Sequence, residues 1–375
     1  MKAFDIMQEH YLQRDLAARE WKKNGGKVVG YFCDSVPEEL ILAAGFFPLR
    51  ITGDPQSGTE EIDKYLENFY EGFVRTSLNM ILTGKFDYLD FLIIPRARDS
   101  ISQQHTHLHQ IKAFDPTLKL PDMYLYEFNH ARSYMSGLYN RDRLIDLKEK
   151  LEEWSGKEIA KKELSQAIAL TNENRILLKK VATLRAAEPP RISGVEALQI
   201  IGSSMFMLKE EHNKLLREFL DGADKLPVRN GVRLFVEGSP LDNLQLYEII
   251  ESCRATVVAE DNCWGNRWSD VLVDSSRDPL EAIASRYHLK SPCPYVNFPE
   301  GLRSDYCRDK TMEAKVQGVI FYILEWDSCQ IWDYPDQNNV LKERGIPAAL
   351  FMKQKYLISE PEKIKTEIEK FIAKI

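Results

Sequence analysis

Short runs of apolar and β-branched residues alternate with longer amphipathic stretches along the chain, and this alternation limits the folds it can adopt. Such runs predict strands of parallel sheets, whose two faces are both covered by helices. Eight runs of this kind are present: Lys27–Cys33, Phe47–Thr52, Tyr88–Pro95, Asp122–Phe128, Val232–Glu237, Thr256–Glu260, Gly318–Glu325 and Ala348–Lys353. The pattern predicts an α/β fold with two parallel-sheet domains.

The eight strands fall into two sets of four, separated by a long charged stretch of helical period from about Arg132 to Ala187. This stretch is interrupted at Ser155-Gly156 and ends before Pro189-Pro190. With 375 residues, the chain is long enough for two domains of ordinary size. We therefore predict three regions: an N-terminal α/β domain over 1–131, a helical connection over 132–190 and a C-terminal α/β domain over 191–375.

The two sets of strands begin in a similar way, with a strand, a serine close to a proline, an amphipathic helix and a second strand. The helices are predicted over Pro37–Ala44 and Leu241–Cys253, with Ser35 and Ser239 as their N-caps. Either a true internal repeat or two unrelated βαβ units of the same period would produce this similarity. The sequence leaves both interpretations open.

The overall charge and the missing motifs exclude several functional classes. A net charge of -7 and a pI near 5.7 disfavour nucleic acid or an acidic membrane as partner. No apolar run approaches the roughly 18–20 residues of a membrane span, and the charged start is unlike a signal peptide, so we expect a cytoplasmic protein. CxxC, GxGxxG, GxxxxGK[ST] and GxSxG patterns are all missing, which disfavours a self-contained zinc site, a bound dinucleotide, ATP hydrolysis and serine-hydrolase chemistry.

Open parallel sheets bind ligands at the carboxyl ends of their strands, beside the topological switch point. Two such domains facing each other would place their strand ends around one cleft. The residues that we expect to line this cleft all follow predicted strands: Ser35, Arg96, Asn129, Ser239, Asn262 and Trp326.

Three other features allow two interpretations each. His105 and His109 share a helical face, as metal ligands can, but a solvated or partner-facing surface is favoured. Arg267 suits either an anionic ligand or an ion pair. Four tryptophans either line a planar substrate pocket or, as we favour, anchor the core or an interface: Trp264, Trp268, Trp326 and Trp332.

Four segments, in their order along the chain, resemble subunits of the 2-hydroxyacyl-CoA dehydratase and benzoyl-CoA reductase superfamily. They are GYFCDSVPEELILAAGFFPLRITGD, TNENRILLKKVATLRAAEPPRISGVE, VEGSPLDNLQLYEIIESCRATVVAEDNCWGNRW and GVIFYILEWDSCQIWDYPDQNNVLKERGIPAALF. The resemblance covers nearly the whole chain. Within it, LRAAEPP and KEEHNKLLREFL are more similar to the benzoyl-CoA reductase branch.

This resemblance implies a pair of related subunits, each with two flavodoxin-like domains and a [4Fe-4S] cluster between them. It also implies a separate ATP-hydrolysing activator that supplies one electron, and a coenzyme A thioester that is converted through a ketyl radical. Depending on the branch, water is eliminated from a 2-hydroxyacyl group or an aromatic ring is reduced. In that setting, the candidate catalytic residues are Ser35, for a thioester carbonyl or phosphate, and His130, for proton transfer. A lone histidine after a strand is more often structural, and this alternative stays open for His130.

The chain departs from the superfamily at the three cysteines that hold the cluster. By resemblance, Arg98 stands at the first position, the second falls near 129–131, and Asp327 stands at the third. Because a cluster needs thiolate ligands, we predict that Arg98 and Asp327 form an ion pair in a vacated cluster site. The alternative is a rearranged cluster that uses Cys329, Cys263 and a non-cysteine ligand.

The expected function is that of a cluster-free partner subunit of an ATP-driven, radical-type aromatic acyl-CoA reductase, similar to benzoyl-CoA reductase. The chain would complete the acyl-CoA pocket and bind no cofactor of its own. Its expected partners are a larger homologous subunit with a [4Fe-4S] cluster, the ATP-hydrolysing activator as electron donor, and a coenzyme A thioester. The alternatives are a 2-hydroxyacyl-CoA dehydratase subunit and a non-catalytic scaffold subunit of such a complex.

Overall fold

The chain folds around two four-stranded sheets whose strands are all parallel, as a computed structural model covering residues 2–296 and 298–375 shows. The first sheet contains β1 (Val28–Tyr31), β2 (Phe47–Arg50), β3 (Phe91–Pro95) and β4 (Asp122–Tyr126). The second contains β5 (Val232–Gly238), β6 (Ala255–Glu260), β7 (Gly318–Leu324) and β8 (Ala348–Gln354). All eight predicted strands are therefore present, each with ends close to the predicted ones.

The two sheets have the same strand order, β2-β1-β3-β4 in the first and β6-β5-β7-β8 in the second. This is the order of the first four strands of a flavodoxin-like sheet. The chain order reverses beside β1 in one sheet and beside β5 in the other, which creates a switch point in each. The predicted α/β fold with two parallel sheets is confirmed.

Helices cover both sheets and join them. The first half contains α1 (Lys2–Leu12), α2 (Leu16–Lys23), α3 (Glu38–Ala43), α4 (Gly72–Leu82) and α5 (Asp99–Phe114). The connection contains α6 (Tyr134–Ser155) and α7 (Lys161–Ala186). The second half contains α8 (Gly194–Ser203), α9 (Lys209–Asp221), α10 (Gln245–Ser252), α11 (Pro279–Leu289), α12 (Leu302–Glu313), α13 (Ser328–Glu343) and α14 (Pro361–Ile372). None of the described helices is long and apolar enough to cross a membrane.

The long connection is built as the sequence indicates, with a break at Gly156. This residue ends α6 in the left-handed conformation, at φ 70°, which glycine adopts without steric cost. Helix α7 then packs against α3, α9 and α11. Helix α1 of the first half packs against α8 and α9 of the second, so the two halves share a broad contact.

A buried polar network fastens α3 to the connection. Glu39 Oε1 lies 2.6 Å from Arg175 Nη2 and accepts a hydrogen bond from Thr171 at 3.1 Å, while Glu39 Oε2 accepts one from Tyr287 at 2.9 Å. Next to it, Glu38 pairs with Lys209 at 2.9 Å. Both glutamates lie in the first turn of α3, where a negative charge favours the helix, and both are also buried ion-pair partners that link separate helices.

The apolar core lies on both faces of the sheets, as parallel strands require. One large cluster joins the two halves and includes Val29, Leu92 and Ile320. A second cluster lies between β5, β7 and the helices α12 and α13, and includes Phe235 and Leu341. All five of these side chains are fully buried, and each contributes about 1.5–3 kcal/mol by leaving water.

Ser35 and Ser239 are not helix N-caps, so that prediction is wrong. Helix α3 begins at Glu38 after Pro37, and α10 begins at Gln245, several residues beyond each serine. The intervening residues carry both serines away from the helix ends. Each serine hydroxyl is therefore available for a different contact at the carboxyl end of a strand.

Candidate functional site

A cavity of about 50 Å³ lies between the two halves, next to the carboxyl ends of β1, β2 and β3. This volume holds a few water molecules or one small ligand. The first half contributes most of the polar lining, and the second adds a tryptophan, an arginine, a tyrosine and two thiols. The chemically active side chains around the cavity are Cys33, Ser35, Arg50, Glu71, Arg98, His130, Cys263, Arg267, Cys293 and Tyr295.

Arg98 connects the two halves beside this cavity through two carboxylates. Its Nη1 lies 2.7 Å from Glu71 Oε1, and its Nη2 lies 3.4 Å from Asp327 Oδ2. The Asp327 side chain is 1% exposed and that of Arg98 is 11% exposed. Burial alone would lower the pKa of Arg98, but Asp327 and Glu71 outweigh it and raise that pKa well above its usual value. The ion pair expected between Arg98 and Asp327 is thus present, with Glu71 as an additional partner.

Ser239 holds the carboxylate of Asp327 in place. Its hydroxyl donates to Asp327 Oδ2 at 2.7 Å and accepts from the Leu324 amide at 2.9 Å. The preceding Gly238 has φ 123°, and a Cβ at this position would lie 2.3 Å from the Tyr322 carbonyl oxygen. Only glycine allows β5 to approach β7 so closely, and this approach brings Ser239 to the end of β7.

The side chains at the superfamily's ligand positions do not fit an iron–sulfur cluster. A cubane is held by thiolates, whereas Arg98 has no lone pair to donate to iron and Asp327 is already engaged by Arg98 and Ser239. Within residues 2–296 and 298–375, no three cysteine, histidine or acidic side chains are grouped so that they could hold a metal ion. Arg98 and Asp327 therefore form an ion pair at this place and do not form a set of metal ligands.

Four thiols lie in or near the cavity without forming a ligand set. Cys33, Cys263 and Cys293 line it, and Cys329 lies near Tyr295 at the start of α13. Burial raises the pKa values of the Cys33, Cys293 and Cys329 thiols above the ordinary value. A neutral thiol is a weaker nucleophile and metal ligand than a thiolate, so this environment does not activate the three cysteines.

The two candidate catalytic residues, Ser35 and His130, both line the cavity. The Ser35 hydroxyl is buried without a hydrogen-bond partner among the described residues. His130 Nε2 lies 3.1 Å from the Arg96 carbonyl oxygen. Burial lowers the pKa of His130 to about 4, so its ring is neutral at pH 7. The geometry therefore offers one free hydroxyl and one neutral imidazole to a ligand.

A largely buried ion pair includes Asp34, which lines the cavity next to Ser35. Asp34 Oδ2 lies 2.5 Å from Lys290 Nζ, and both side chains are largely buried. Burial would raise the pKa of Asp34, but Lys290 and Arg267 lower it below the usual range. Arg267 itself is buried and pairs with Asp261 at 3.0 Å, so it forms an internal ion pair rather than one on the surface.

Of the six cleft candidates, only Ser35 lines the cavity, and five lie outside its lining: Arg96, Asn129, Ser239, Asn262 and Trp326. Arg96 is exposed and contacts Glu127 at 3.2 Å. The Asn129 side chain accepts from the Ala131 backbone N–H at 3.0 Å, and the Asn262 side chain donates to the Leu241 carbonyl oxygen at 2.9 Å. These side chains follow strands as the rule requires, but local turns direct them to the backbone and to neighbouring side chains.

Trp326 is not part of the cavity lining; its ring contacts that of Phe69 with centroids 6.4 Å apart. The two rings come from different halves and are 52% and 48% exposed. Trp326 adopts φ 70°, a left-handed conformation that is unusual for a bulky residue. Of the other tryptophans, Trp264 and Trp268 are buried, as the core interpretation predicts, while Trp332 is largely exposed.

Two polar residues of the cavity lining, Arg50 and Glu71, were missed by sequence reasoning. Arg50 ends β2 and could have been found by the strand-end rule, which nominated the ends of the other strands. Glu71 has no such signal, because it lies in a loop before α4 and meets Arg98 only through the fold.

The histidines His105 and His109 lie one turn apart on α5 with Nε2 atoms 3.2 Å apart, away from the cavity lining.

Comparison with known proteins identifies the family of this chain. The family model described as 2-hydroxyglutaryl-CoA dehydratase, D-component, matches residues 33–375. The (R)-phenyllactyl-CoA dehydratase beta subunit of Clostridium sporogenes is 24% identical over 336 residues, which are 88% of this chain and 87% of that protein. A benzoyl-CoA reductase subunit of Thauera aromatica is 28% identical over 320 residues, which are 81% of this chain and 80% of that protein.

A third relative, the (R)-2-hydroxyglutaryl-CoA dehydratase beta subunit of Acidaminococcus fermentans, is 24% identical over 338 residues. These residues are 88% of this chain and 87% of the relative. All three relatives are subunits of acyl-CoA enzymes, and each matches this chain over most of both lengths. The comparisons therefore support the superfamily that the sequence resembles.

Proposed function

Because this chain belongs to the 2-hydroxyglutaryl-CoA dehydratase D-component family, we propose that it is the cluster-free subunit of a heteromeric acyl-CoA enzyme. Its partner would be a homologous subunit that carries [4Fe-4S], and an ATP-hydrolysing activator would supply the electron. The substrate would be a coenzyme A thioester. We favour an aromatic acyl-CoA reductase of the benzoyl-CoA type.

The observation that carries this proposal is the contact of Arg98 with Glu71 and Asp327. It occupies the place where the superfamily resemblance expects two cluster cysteines. Removing one member would leave a buried charge unpaired, at a cost of about 3–5 kcal/mol. The ion pair fills the space that a cluster would otherwise occupy between the two halves of the chain.

A cluster-free subunit would still contribute to a reaction that passes through a radical intermediate. A reactive thioester must be oriented and shielded from water, and the redox chemistry itself belongs to the cofactor of the partner. Ser35, with its free hydroxyl, would donate to an acyl oxygen, and neutral His130 would accept or relay a proton.

The cavity is far smaller than the roughly 300–1,000 Å³ of ordinary small-molecule sites. A complete acyl-CoA cannot enter it in this conformation. The proposal therefore requires that the pocket be completed on the partner's surface, or that the two halves of the chain separate around the cavity. In either case, the residues at the strand ends would face the acyl group and leave the coenzyme A portion outside.

Metal analysis of the assembled complex tests the cluster-free assignment. The chain should be coexpressed anaerobically with a homologous subunit that carries three cluster cysteines, and the copurified pair analysed for iron and acid-labile sulfide. One cluster per pair corresponds to about four iron and four sulfide, and two clusters to about eight of each. The chain alone, with iron near zero, is the matched control; about four iron in the chain alone would refute the proposal.

A 2-hydroxyacyl-CoA dehydratase subunit is the second candidate, and the dehydratase relatives favour it. The two candidates differ in the product. A reductase consumes two electrons per aromatic ring reduced, whereas a dehydratase eliminates water with no net reduction. Incubation of the activated complex with benzoyl-CoA, and separately with (R)-phenyllactyl-CoA, should yield a product from only one of them, identified by mass.

A further inference from the structure

Arg50 is a buried cation with no carboxylate at ion-pair distance among the described residues, and only Asp34 acts on it from farther away. It lies at the carboxyl end of β2, is 2% exposed and lines the cavity. Among the ion pairs formed by the described residues, none includes Arg50. An unpaired buried charge is costly, so buried cations in proteins are normally paired or neutralised by a ligand.

The contacts of the Arg50 guanidinium leave part of its donor edge free. Nη1 donates to the Cys263 carbonyl oxygen at 2.8 Å and to Met205 Sδ at 3.3 Å, and Nη2 donates to Cys263 Sγ at 2.9 Å. The Trp264 ring lies 3.7 Å from the guanidinium carbon and covers one of its faces. A guanidinium has five N–H donors, and the buried Nε has no acceptor in the described chain.

The carboxylates around the cavity are already committed to other cations. Asp34 contacts Lys290 at 2.5 Å, and Glu71 contacts Arg98 at 2.7 Å. The acceptors that Arg50 contacts are two sulfur atoms and one carbonyl oxygen, and sulfur accepts weakly. A carboxylate inside the cavity would therefore supply the ion-pair partner that the described side chains do not provide at contact distance.

A second unpartnered group lies on the same cavity. Ser35 is 2% exposed, lines the cavity and has a hydroxyl without a hydrogen-bond partner among the described residues. Buried hydroxyls are normally satisfied, because burying one unpaired costs about 1–3 kcal/mol. Arg50 and Ser35 thus provide two independent indications of a polar ligand in a space of about 50 Å³.

We propose that this cavity is a binding site for a small carboxylate, held by Arg50 and Ser35. A carboxylate matches the planar donor edge of a guanidinium, and its oxygens can also accept from a hydroxyl. The carboxylate compensates the charge of Arg50 and satisfies Ser35 at the same time. The site lies in the cavity of the proposed function, but it does not depend on the absence of a cluster or on either reaction.

Two sources could supply the carboxylate: a free small acid, or the far end of a dicarboxylic acyl group attached to coenzyme A. In the second case, Arg50 would determine the substrate class, because an uncharged acyl chain leaves the guanidinium unpaired. This second source rests on the proposed acyl-CoA function but not on its benzoyl type, because a benzoyl group has no second carboxylate. The first source can be tested on the chain alone.

Acetate binding to the purified full-length chain, measured by isothermal titration calorimetry, tests the proposal. Acetamide, which has the same shape without the charge, is the control ligand at matched ionic strength. We expect acetate to bind and acetamide to bind at least tenfold more weakly. Arg50→Met should weaken acetate binding at least tenfold, and Ser35→Ala at least threefold, because a hydrogen bond to a charged group is lost.

Ser77→Ala is the matched control, because Ser77 is equally buried but bonds to the Val74 carbonyl oxygen away from the cavity lining. Its acetate affinity should equal that of the wild type. If Arg50→Met does not fold, Ser35→Ala and the acetamide comparison still decide. Equal affinity for acetate and acetamide, no binding of either ligand, or an unchanged Ser35→Ala variant would overturn the proposal.

Competition separates the two sources. Glutaryl-CoA carries a terminal carboxylate, and pentanoyl-CoA is its uncharged counterpart. Displacement of acetate by glutaryl-CoA but not by pentanoyl-CoA assigns the site to the acyl group. Acetate binding without such displacement assigns it to a free acid. Either result leaves the iron content of the complex, which tests the proposed function, as a separate measurement.

Discussion

Arg98 and Asp327 are 229 positions apart in the sequence, yet Arg98 Nη2 lies 3.4 Å from Asp327 Oδ2. Glu71 continues this contact on one side and Ser239 on the other, so a single line of polar contacts crosses from the first sheet to the second. The same contact fills the place where superfamily resemblance expects thiolate ligands. The two residues that stand at expected cysteine positions therefore also connect the two halves of the chain.

Removal of the guanidinium should destabilise the fold strongly. In Arg98→Met, Glu71 and Asp327 remain buried without a cation, and we expect the free energy of unfolding to fall by about 3–5 kcal/mol. Urea unfolding followed by tryptophan fluorescence measures this change. Adding Asp327→Asn to Arg98→Met should recover part of the loss, because one unpaired charge is removed.

Arg96→Met is the control for this prediction. Arg96 is two residues away, but its side chain is 65% exposed and contacts Glu127 at 3.2 Å, so the change should be within about 0.5 kcal/mol. A similar loss for both variants would show that the contact of Arg98 with Asp327 has no special role.

The buried pair Glu39 and Arg175 should make stability depend on acid. Burial would raise the pKa of Glu39, but the Arg175 guanidinium outweighs it and lowers the pKa from 4.5 to about 2. Since the folded-state pKa is the lower one, this contribution is fully present above about pH 4.5 and is lost as the pH falls towards 2. Stability measured from pH 6 to pH 2 should decline less steeply in Glu39→Gln, although this variant starts from a lower stability. Parallel curves for the two proteins would contradict this assignment.

His130 should oppose folding in mild acid. Burial lowers its pKa from 6.5 to about 4 in the folded chain, so between these values the unfolded chain binds a proton that the folded chain does not. Stability should therefore fall as the pH decreases from 6.5 to 4, and the slope should be smaller in His130→Asn. Burial also lowers the pKa of His212, to about 3, so only the difference between the wild type and the variant is informative. In wild-type protein, the His130 ring signals should not titrate above pH 5 by NMR.

Because the backbone of Trp326 is left-handed, we expect glycine to be more stable than alanine at this position, the reverse of their order in a helix. Both Trp326→Gly and Trp326→Ala lose the ring contact with Phe69, but only glycine adopts φ 70° without steric cost. We expect the glycine variant to be more stable than the alanine variant by about 1 kcal/mol, measured by urea unfolding. At Trp332, which is exposed within α13, the order should reverse, since glycine weakens a helix by about 1 kcal/mol relative to alanine.

Much of the fold could be predicted because its signals are local. The apolar runs predicted all eight strands, and Gly156 marked the break between α6 and α7. The N-caps failed because a serine near a proline resembles a helix start, whereas the chain continues for several residues before α3 and α10 begin. The strand-end rule placed Ser35 and His130 on the cavity but could not tell them from Asn129 and Asn262, which bond to nearby turns.

The sequence by itself determined the two parallel sheets and the lack of cysteine at Arg98 and Asp327, because periodicity and residue identity are properties of the chain alone. Only the tertiary structure decided which distant groups meet. Glu71 joined Arg98, Cys263 and Trp264 surrounded Arg50, and Ser35 was left without a partner among the described residues. The physical reason is that the energy of a buried charge depends on its neighbours in space, and no local pattern records which neighbours the packing of two sheets will provide.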